Sequence, residues 1–406
     1  MRVLLLSACG LLFFSHAALS QEWKSECVGY YQMQMPDNLE VGLYPIKDFI
    51  DPRKEPASDY GIQVRRYAAT YFTFSETYRR NDRDAVQAQF SQSYYANYKI
   101  GVSSGSDKKL SLADYITREK DRLAFGRNVD RQFEEQDLKI LDKPMTPTAE
   151  FDRKHNYVVK EYADASAIYK RRGYTVYVSK NNRLYHFWSK TQKDTGDKSQ
   201  TAERQVQKSE PEVLSLLSRF KPRRLYEVPA AQGFCIPYGF IAGDSGHEPR
   251  NMAVTYRLKD HPDVTIFFQD LGMKPDAGKE DELNEKDYVT WLWNWQYQWS
   301  AAEKELIKPK WRAIKMDGRD GLGTFAKAIY RDVPVYDYNG HVSNRLNYTS
   351  YGYVAYVQGD HNARNLEPDL LLYVMQDSRQ ARNNKPMDKD EIEKIAEHII
   401  GSVKRR

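Results

Sequence analysis

One helical pattern is written twice in this chain, and a chain that repeats its own terminal helix is constrained to fold as two related units. Ser209-Glu210-Pro211-Glu212 has the S-x-x-E form of a capping box, and Val213, Leu216, Leu217 and Phe220 follow at helical spacing. Asp388-Lys389-Asp390-Glu391 precedes Ile392, Ile395, Ala396 and Ile399, the same four offsets from the cap. Each pattern follows a strand-like run, Leu184 to Trp188 in the first unit and Leu370 to Val374 in the second. The units also open alike, with Cys27-Val28-Gly29-Tyr30-Tyr31 in one and Cys235-Ile236-Pro237-Tyr238-Gly239 in the other. A linker is expected at 223–232, behind Pro222 and around Pro229, which sets the units at 21–222 and 233–406.

The remaining pattern predicts an α+β fold of two similar domains, each a mainly antiparallel sheet with few helices and a C-terminal amphipathic helix. Runs rich in Tyr, Val, Thr and Phe predict strands at 27–34, 61–74, 156–170 and 173–188 in the first unit. Strands at 252–258, 263–269, 324–330, 351–358 and 369–375 are expected in the second. Ser111 predicts a helix start ahead of Leu112, Tyr115 and Ile116. Segment 282–306 alternates aromatic and polar residues, yet Tyr288, Trp291, Leu292, Trp295, Trp299, Ala302 and Leu306 form one helical stripe, so a helix is predicted. Trp293 and Tyr297 then lie on the opposite face. Either that helix is buried on both sides or this pair is offered to a partner protein.

Residues 1–20 read as an export signal. Arg2 is followed by an apolar run, and Ala18-Leu19-Ser20 supplies small residues before a cut at Gln21. The run is too short to span a bilayer, and no later stretch reaches the ~20 apolar residues of a membrane helix. The expected location is the periplasm. Leu6-Ser7-Ala8-Cys9 offers a second reading, lipidation at Cys9 and an anchored envelope adaptor or lipoprotein. Outside the signal only Cys27 and Cys235 remain. An oxidising compartment permits a disulfide between them, and two separately buried thiols are the other reading. The formal charge is +5, interspersed along the chain and not gathered on one face, which excludes a nucleic-acid footprint.

Gly101-Val102-Ser103-Ser104-Gly105 matches the nucleophile elbow of serine hydrolases. The elbow requires a strand turning directly into a helix, whereas Ser106 to Leu110 intervenes here, so a flexible loop is expected and an exported hydrolase stands as the alternative function. Gly321-Leu322-Gly323-Thr324-Phe325-Ala326 imitates a dinucleotide fingerprint, but a strand pattern follows from Lys327 where a helix would be needed, so a hairpin turn at Gly318 to Gly323 is expected. The histidines are scattered without metal-ligand spacing. No catalytic residue, metal or cofactor is implied. What stands out is 30 tyrosines, a large aromatic inventory for sheet cores and protein–protein contacts.

The two openings carry a family resemblance. Cys27-Val28-Gly29-Tyr30-Tyr31 through Met35-Pro36 resembles the opening of the cognate immunity proteins that neutralise type VI secretion lipase effectors, in the group paired with the fourth lipase class. Gly233-Phe234-Cys235-Ile236, with His261-Pro262-Asp263-Val264 entering a strand, resembles that family's C-terminal domain. The chain departs from the pattern at Tyr30, where a basic residue is favoured, and after Gly323, where Thr324 stands in place of Glu. The resemblance implies a periplasmic, non-catalytic protein that binds a phospholipase toxin as a two-domain clamp. It implies no catalytic residues to carry over, and the free protein is expected to be a monomer.

Overall fold

The computed structural model describes residues 22–44, 46, 73–74, 93–106, 111–193, 195–197, 199–273, 283–296, 301–337, 339–381 and 385–406. The export signal with Cys9, nearly all of the strand expected at 61–74, and Tyr297 lie outside the described residues.

The chain opens with a hairpin, β1 (Trp23–Val28) and β2 (Tyr31–Pro36), and a short strand β3 (Leu39–Val41). β4 (Ser93–Tyr95) and β5 (Tyr98–Val102) follow, then the long helix α1 (Leu112–Leu141) and the short helix α2 (Thr148–His155). The meander β6 (Tyr157–Glu161), β7 (Ala165–Lys170), β8 (Gly173–Lys180) and β9 (Arg183–Ser189) leads to α3 (Ala202–Arg219) and β10 (Phe220–Pro222). Asn181 and Asn182, both at positive φ, turn the β8–β9 hairpin, the backbone its two-residue connection requires.

The second half begins with β11 (Gly233–Ile236), β12 (Gly239–Ala242), β13 (Arg250–Leu258) and β14 (Val264–Leu271). Helix α4 (Glu285–Trp291) runs into a π-helical turn at Leu292–Gln296. β15 (Glu303–Leu306), β16 (Arg312–Met316), the long pair β17 (Arg319–Tyr336) and β18 (Val342–Val357), and β19 (Asp369–Gln376) complete the strands before α5 (Lys389–Ser402) and β20 (Lys404–Arg405).

The principal sheet has 14 strands and runs β15-β17-β18-β19-β14-β13-β4-β5-β9-β8-β7-β6, with β16 beside β17 and β3 beside β13. Its neighbours pair antiparallel throughout. The α+β class read from the sequence, a largely antiparallel sheet closed by a C-terminal helix, is the observed one. Strands of the two halves meet where β4 pairs β13, at Tyr95–Arg250, Tyr94–Asn251 and Ser93–Met252. β3 pairs the same strand, so the chain's opening segment lies on second-half strands. Two three-stranded sheets, β1-β2-β20 and β10-β12-β11, lie outside the large one.

The two terminal helices behave differently. Asp388 caps α5 as predicted, its Oδ1 accepting from the amide of Asp390 at 2.9 Å, and Ile392, Ile395, Ala396 and Ile399 are buried. α3 corrects the other prediction. It begins at Ala202, capped by the Thr201 hydroxyl on the Arg204 amide at 3.2 Å, and Pro211 lies inside the helix. Ser209 is no cap but a buried side chain whose hydroxyl accepts from Gln205 Nε2 at 2.6 Å. The predicted helix at 282–306 is likewise shortened. Glu303–Leu306 is an edge strand paired with Ala326 to Ile329, a long-range partner that a local stripe does not reveal.

Candidate partner-binding surface

The seam between the halves is built from buried charge and a disulfide. Cys27 and Cys235 are bonded, with Cα atoms 5.8 Å apart. Gly29 and Cys235 exchange main-chain hydrogen bonds of 2.9 Å in each direction. Beside them Arg223, in the segment expected as a linker, donates through Nη2 to Glu26 Oε1 and to the carbonyl of Cys27. Burial works against the charge on Arg223, but Glu26 outweighs it and holds the pKa above the ordinary arginine value. A second pair, Arg250 Nε to Asp270 Oδ2 at 2.7 Å, is wholly buried below the Tyr30 ring. Gly29 lies at φ +60° against that carboxylate, where a Cβ would collide with it. Asp244 Oδ2 accepts from the hydroxyls of Tyr30 and Tyr95, both at 2.7 Å. The C-terminal Arg406 closes the seam, its amide donating to the Tyr30 carbonyl at 3.0 Å. These groups engage one another within the seam.

Ser103 is similarly occupied. It is buried at the end of β5, its hydroxyl donating to the Ser104 carbonyl at 2.8 Å and accepting from the Leu184 amide at 2.9 Å. Strand β5 does not turn into a helix at this serine, so the elbow geometry of the alternative hydrolase is missing. Among the described residues, no three His, Cys, Asp or Glu side chains gather where a metal could bind.

Trp293 is not on the surface. It is 6 % exposed, packed with Tyr288, Val289 and Leu292 against the sheet, and its Nε1 donates to Thr324 Oγ1 at 2.6 Å. Of the two readings for that helix, burial on both sides holds at this residue, because the π-helical turn swings the indole onto β17.

Exposed apolar side chains gather elsewhere, on a long helix and on the outer part of a hairpin. The first is α1. The Ser111 hydroxyl caps it at 3.1 Å from the Asp114 amide, and only Tyr115, Ile116 and Glu119 of its 30 residues are buried. At ~1.5 Å per residue the helix is about 45 Å long, and all its buried residues lie in its first turns. α2 covers one side of it. Arg131 stacks over the Phe151 ring at 3.6 Å, Arg127 pairs with Asp152 at 2.5 Å, and His155 Nε2 meets Asp130 Oδ2 at 2.9 Å. Along the rest of α1 run Phe125, Val129, Phe133 and Ile140, with Phe125 66 %, Phe133 60 % and Ile140 78 % exposed, Phe133 at the cleft between α1, α2 and the β7–β8 turn.

The second element is the outer part of the β17–β18 hairpin. Stacked Tyr330 and Tyr348 rings, 4.4 Å apart, end its packed base, and Arg379 lies over Tyr348 at 5.1 Å. A register shift follows between Tyr330 and Val333. Beyond it no described residue up to Asn347 is buried, and Tyr336 and Val342 are exposed at the tip. Sequence reasoning placed the start of α1 at Ser111 and the inner strands at 324–330 and 351–358, but missed the apolar stripe on the helix and the outer part of the hairpin. The α1 stripe was present as Phe125, Val129, Phe133 and Ile140 at i, i+4, i+8 and i+15, a visible signal.

A largely antiparallel α+β scaffold with a charge-filled seam and two exposed arms is the class of protein that this geometry defines. Residues 227–287 match the family model described as Tle cognate immunity protein 4 C-terminal domain. The resemblance read from the sequence, to cognate immunity proteins of type VI lipase effectors, is therefore supported. The fold matches immunity protein TplEi of the type VI secretion system from Pseudomonas aeruginosa, in its apo form and complexed with an "L" peptide. Identity is 13%, TM-score 0.50, with 95% of this chain and 97% and 98% of those chains covered. A chain in the crystal structure of the Tle4–Tli4 complex matches at the same identity and TM-score, over 95% of this chain and 97% of that one. No curated protein sequence matches the chain.

Proposed function

We propose that this chain is a periplasmic immunity protein that binds a type VI secretion phospholipase effector and neutralises it without chemistry of its own. The observation that carries the reading is the match of residues 227–287 to the immunity C-terminal domain, within a fold that follows such immunity proteins over almost their whole length. Export is supported by the signal pattern at 1–20 and by the buried disulfide, since disulfides persist in oxidising compartments. The mode is a clamp. The units 21–222 and 233–406 each contribute an exposed arm, α1 from the first and the outer β17–β18 hairpin from the second. Two contacts on one body raise avidity through effective concentration, without either being exceptional.

The test is co-expression. The lipase encoded beside the gene is sent to the periplasm of a sensitive host, with this protein either exported or stripped of residues 1–20. Survival with the exported form alone is expected. Killing despite the exported form would end the reading, and equal rescue by the leaderless form would end its periplasmic part.

A further inference from the structure

The stripe on α1 has a definite chemistry. Phe125, Phe133 and Ile140 are exposed and, with the half-buried Val129, follow helical spacing along α1, Phe133 bordering the cleft it shares with Phe151, Lys154 and His155 of α2 and with the β7–β8 turn; contiguous large apolar groups are uncommon on a protein surface without a partner. Several of the charges around them are paired inside the arm. Arg122 pairs with Glu119 at 3.1 Å, Arg131 with Glu134 at 3.0 Å, and Lys143 with Asp137 at 3.0 Å. Arg127 and Asp130 are engaged by Asp152 and His155 of α2. The remaining charges of α1, Arg118, Lys120 and Lys139 against Asp114, Asp121 and Glu135, balance in sign, with Asp142 at its C-terminal cap.

We infer that this stripe is the apolar centre of the interface, and that it seats on an uncharged, apolar patch of the lipase protein. The inference rests on the immunity reading and names the surface that reading left open. Charge complementarity chooses the occupant. A face whose ions are paired or balanced in sign has no net charge to offer an acidic or basic partner, and it lacks the lysine- and arginine-rich polar flank by which amphipathic helices bind anionic membranes. An enzyme that works on lipid from water must carry an apolar surface of the kind this stripe would cover. Phe125 and Phe133 are the anchors, large rigid side chains that lose little conformational freedom on docking. Because no net charge is engaged, affinity at this face depends on buried apolar area and responds weakly to salt.

The experiment compares the full mature protein with Phe133→Glu/Ile140→Glu and with the conservative Phe133→Leu. Calorimetric titration against the lipase encoded beside the gene is run at low and high salt. Flotation with vesicles of anionic phospholipid and sedimentation of the protein alone complete it. These side chains are exposed, so unchanged melting temperatures are expected. The double variant is expected to lose affinity about 30-fold or more (about 2 kcal/mol), Phe133→Leu to stay near wild type, and salt to have little effect on the wild type. Wild-type binding that the double variant retains overturns this inference alone. Failure of the wild type to bind the lipase overturns the immunity reading with it. Flotation or dimerisation that the double variant abolishes assigns the stripe to a membrane or to a second copy, and overturns the lipase as its occupant.

Discussion

Cys27 and Cys235, 208 positions apart, are bonded at the point where Gly29 and Cys235 already exchange two main-chain hydrogen bonds. The bond therefore closes a very long loop onto a contact that the folded backbone makes anyway. Its stabilising effect falls on the unfolded chain, which loses the freedom of that loop. Replacing both cysteines with alanine, or reducing the bond, is expected to cost about 2–4 kcal/mol in denaturant titrations. The denatured protein lacking residues 1–20 should show no titratable thiol until a reductant is added. Two thiols without reductant would refute the pairing.

Glu26 and Arg223 make the companion prediction. Both side chains are essentially buried, and Arg223 also donates through Nε to the carbonyls of Ile236 and Gly239, each at 3.3 Å. Glu26→Gln leaves the guanidinium without its counter-charge in a dry site, which costs about 3–5 kcal/mol. Adding Arg223→Met removes the stranded charge and should return part of that loss. A double-mutant cycle in urea measures the coupling. Additive losses would show that the pair is not the unit that holds the seam.

These two sites mark how far the sequence could be read. The cysteine-led openings were visible as strings, and strong local signals such as Asp388 and Ser111 correctly placed helix starts. The helix start at Thr201 was hidden because the face that α3 buries in its first half includes Gln205 and Ser209, polar groups that satisfy each other. Glu303–Leu306 was read as helix because its partner strand lies far along the chain. The outer β17–β18 hairpin extends past the predicted strand ends at 330 and 351 because its strands pair with each other while most of their side chains face water, so no burial pattern records them. The Glu26–Arg223 pair carries no sequence signal, since burial of a charge depends on the tertiary contact that compensates it.

His186 gives the chain a pH dependence with a definite sign. Its ring is enclosed by Tyr115, Tyr177 and Trp188. Burial, with Arg122 adding to it, lowers its pKa to about 3. Unfolded, the ring titrates near ~6.5. Between those values the unfolded chain takes up a proton that the folded one refuses, so stability falls as pH falls. The loss at this site begins near ~6.5 and amounts to about 1.4 kcal/mol per pH unit. His186→Gln should flatten the stability profile across that window relative to the wild type. Parallel profiles would show that His186 is not the group responsible.

Ser103→Ala separates the two functions the sequence allowed. As a nucleophile, Ser103 would be needed for activity and could be lost with little effect on the fold. In the structure its hydroxyl is buried and holds the Leu184 amide and the Ser104 carbonyl, while its own carbonyl accepts from Arg183 Nη1 at 3.1 Å. Alanine would strand a buried amide donor, a cost of about 1–3 kcal/mol. The expected outcome is thus a lowered melting temperature with protection against the lipase intact at temperatures where the variant is folded. An esterase activity in the wild type that vanished in a variant of unchanged stability would reverse the assignment. The same serine would then have to leave its two backbone partners to meet a substrate, which at 0 % exposure requires opening the β5–β9 pairing.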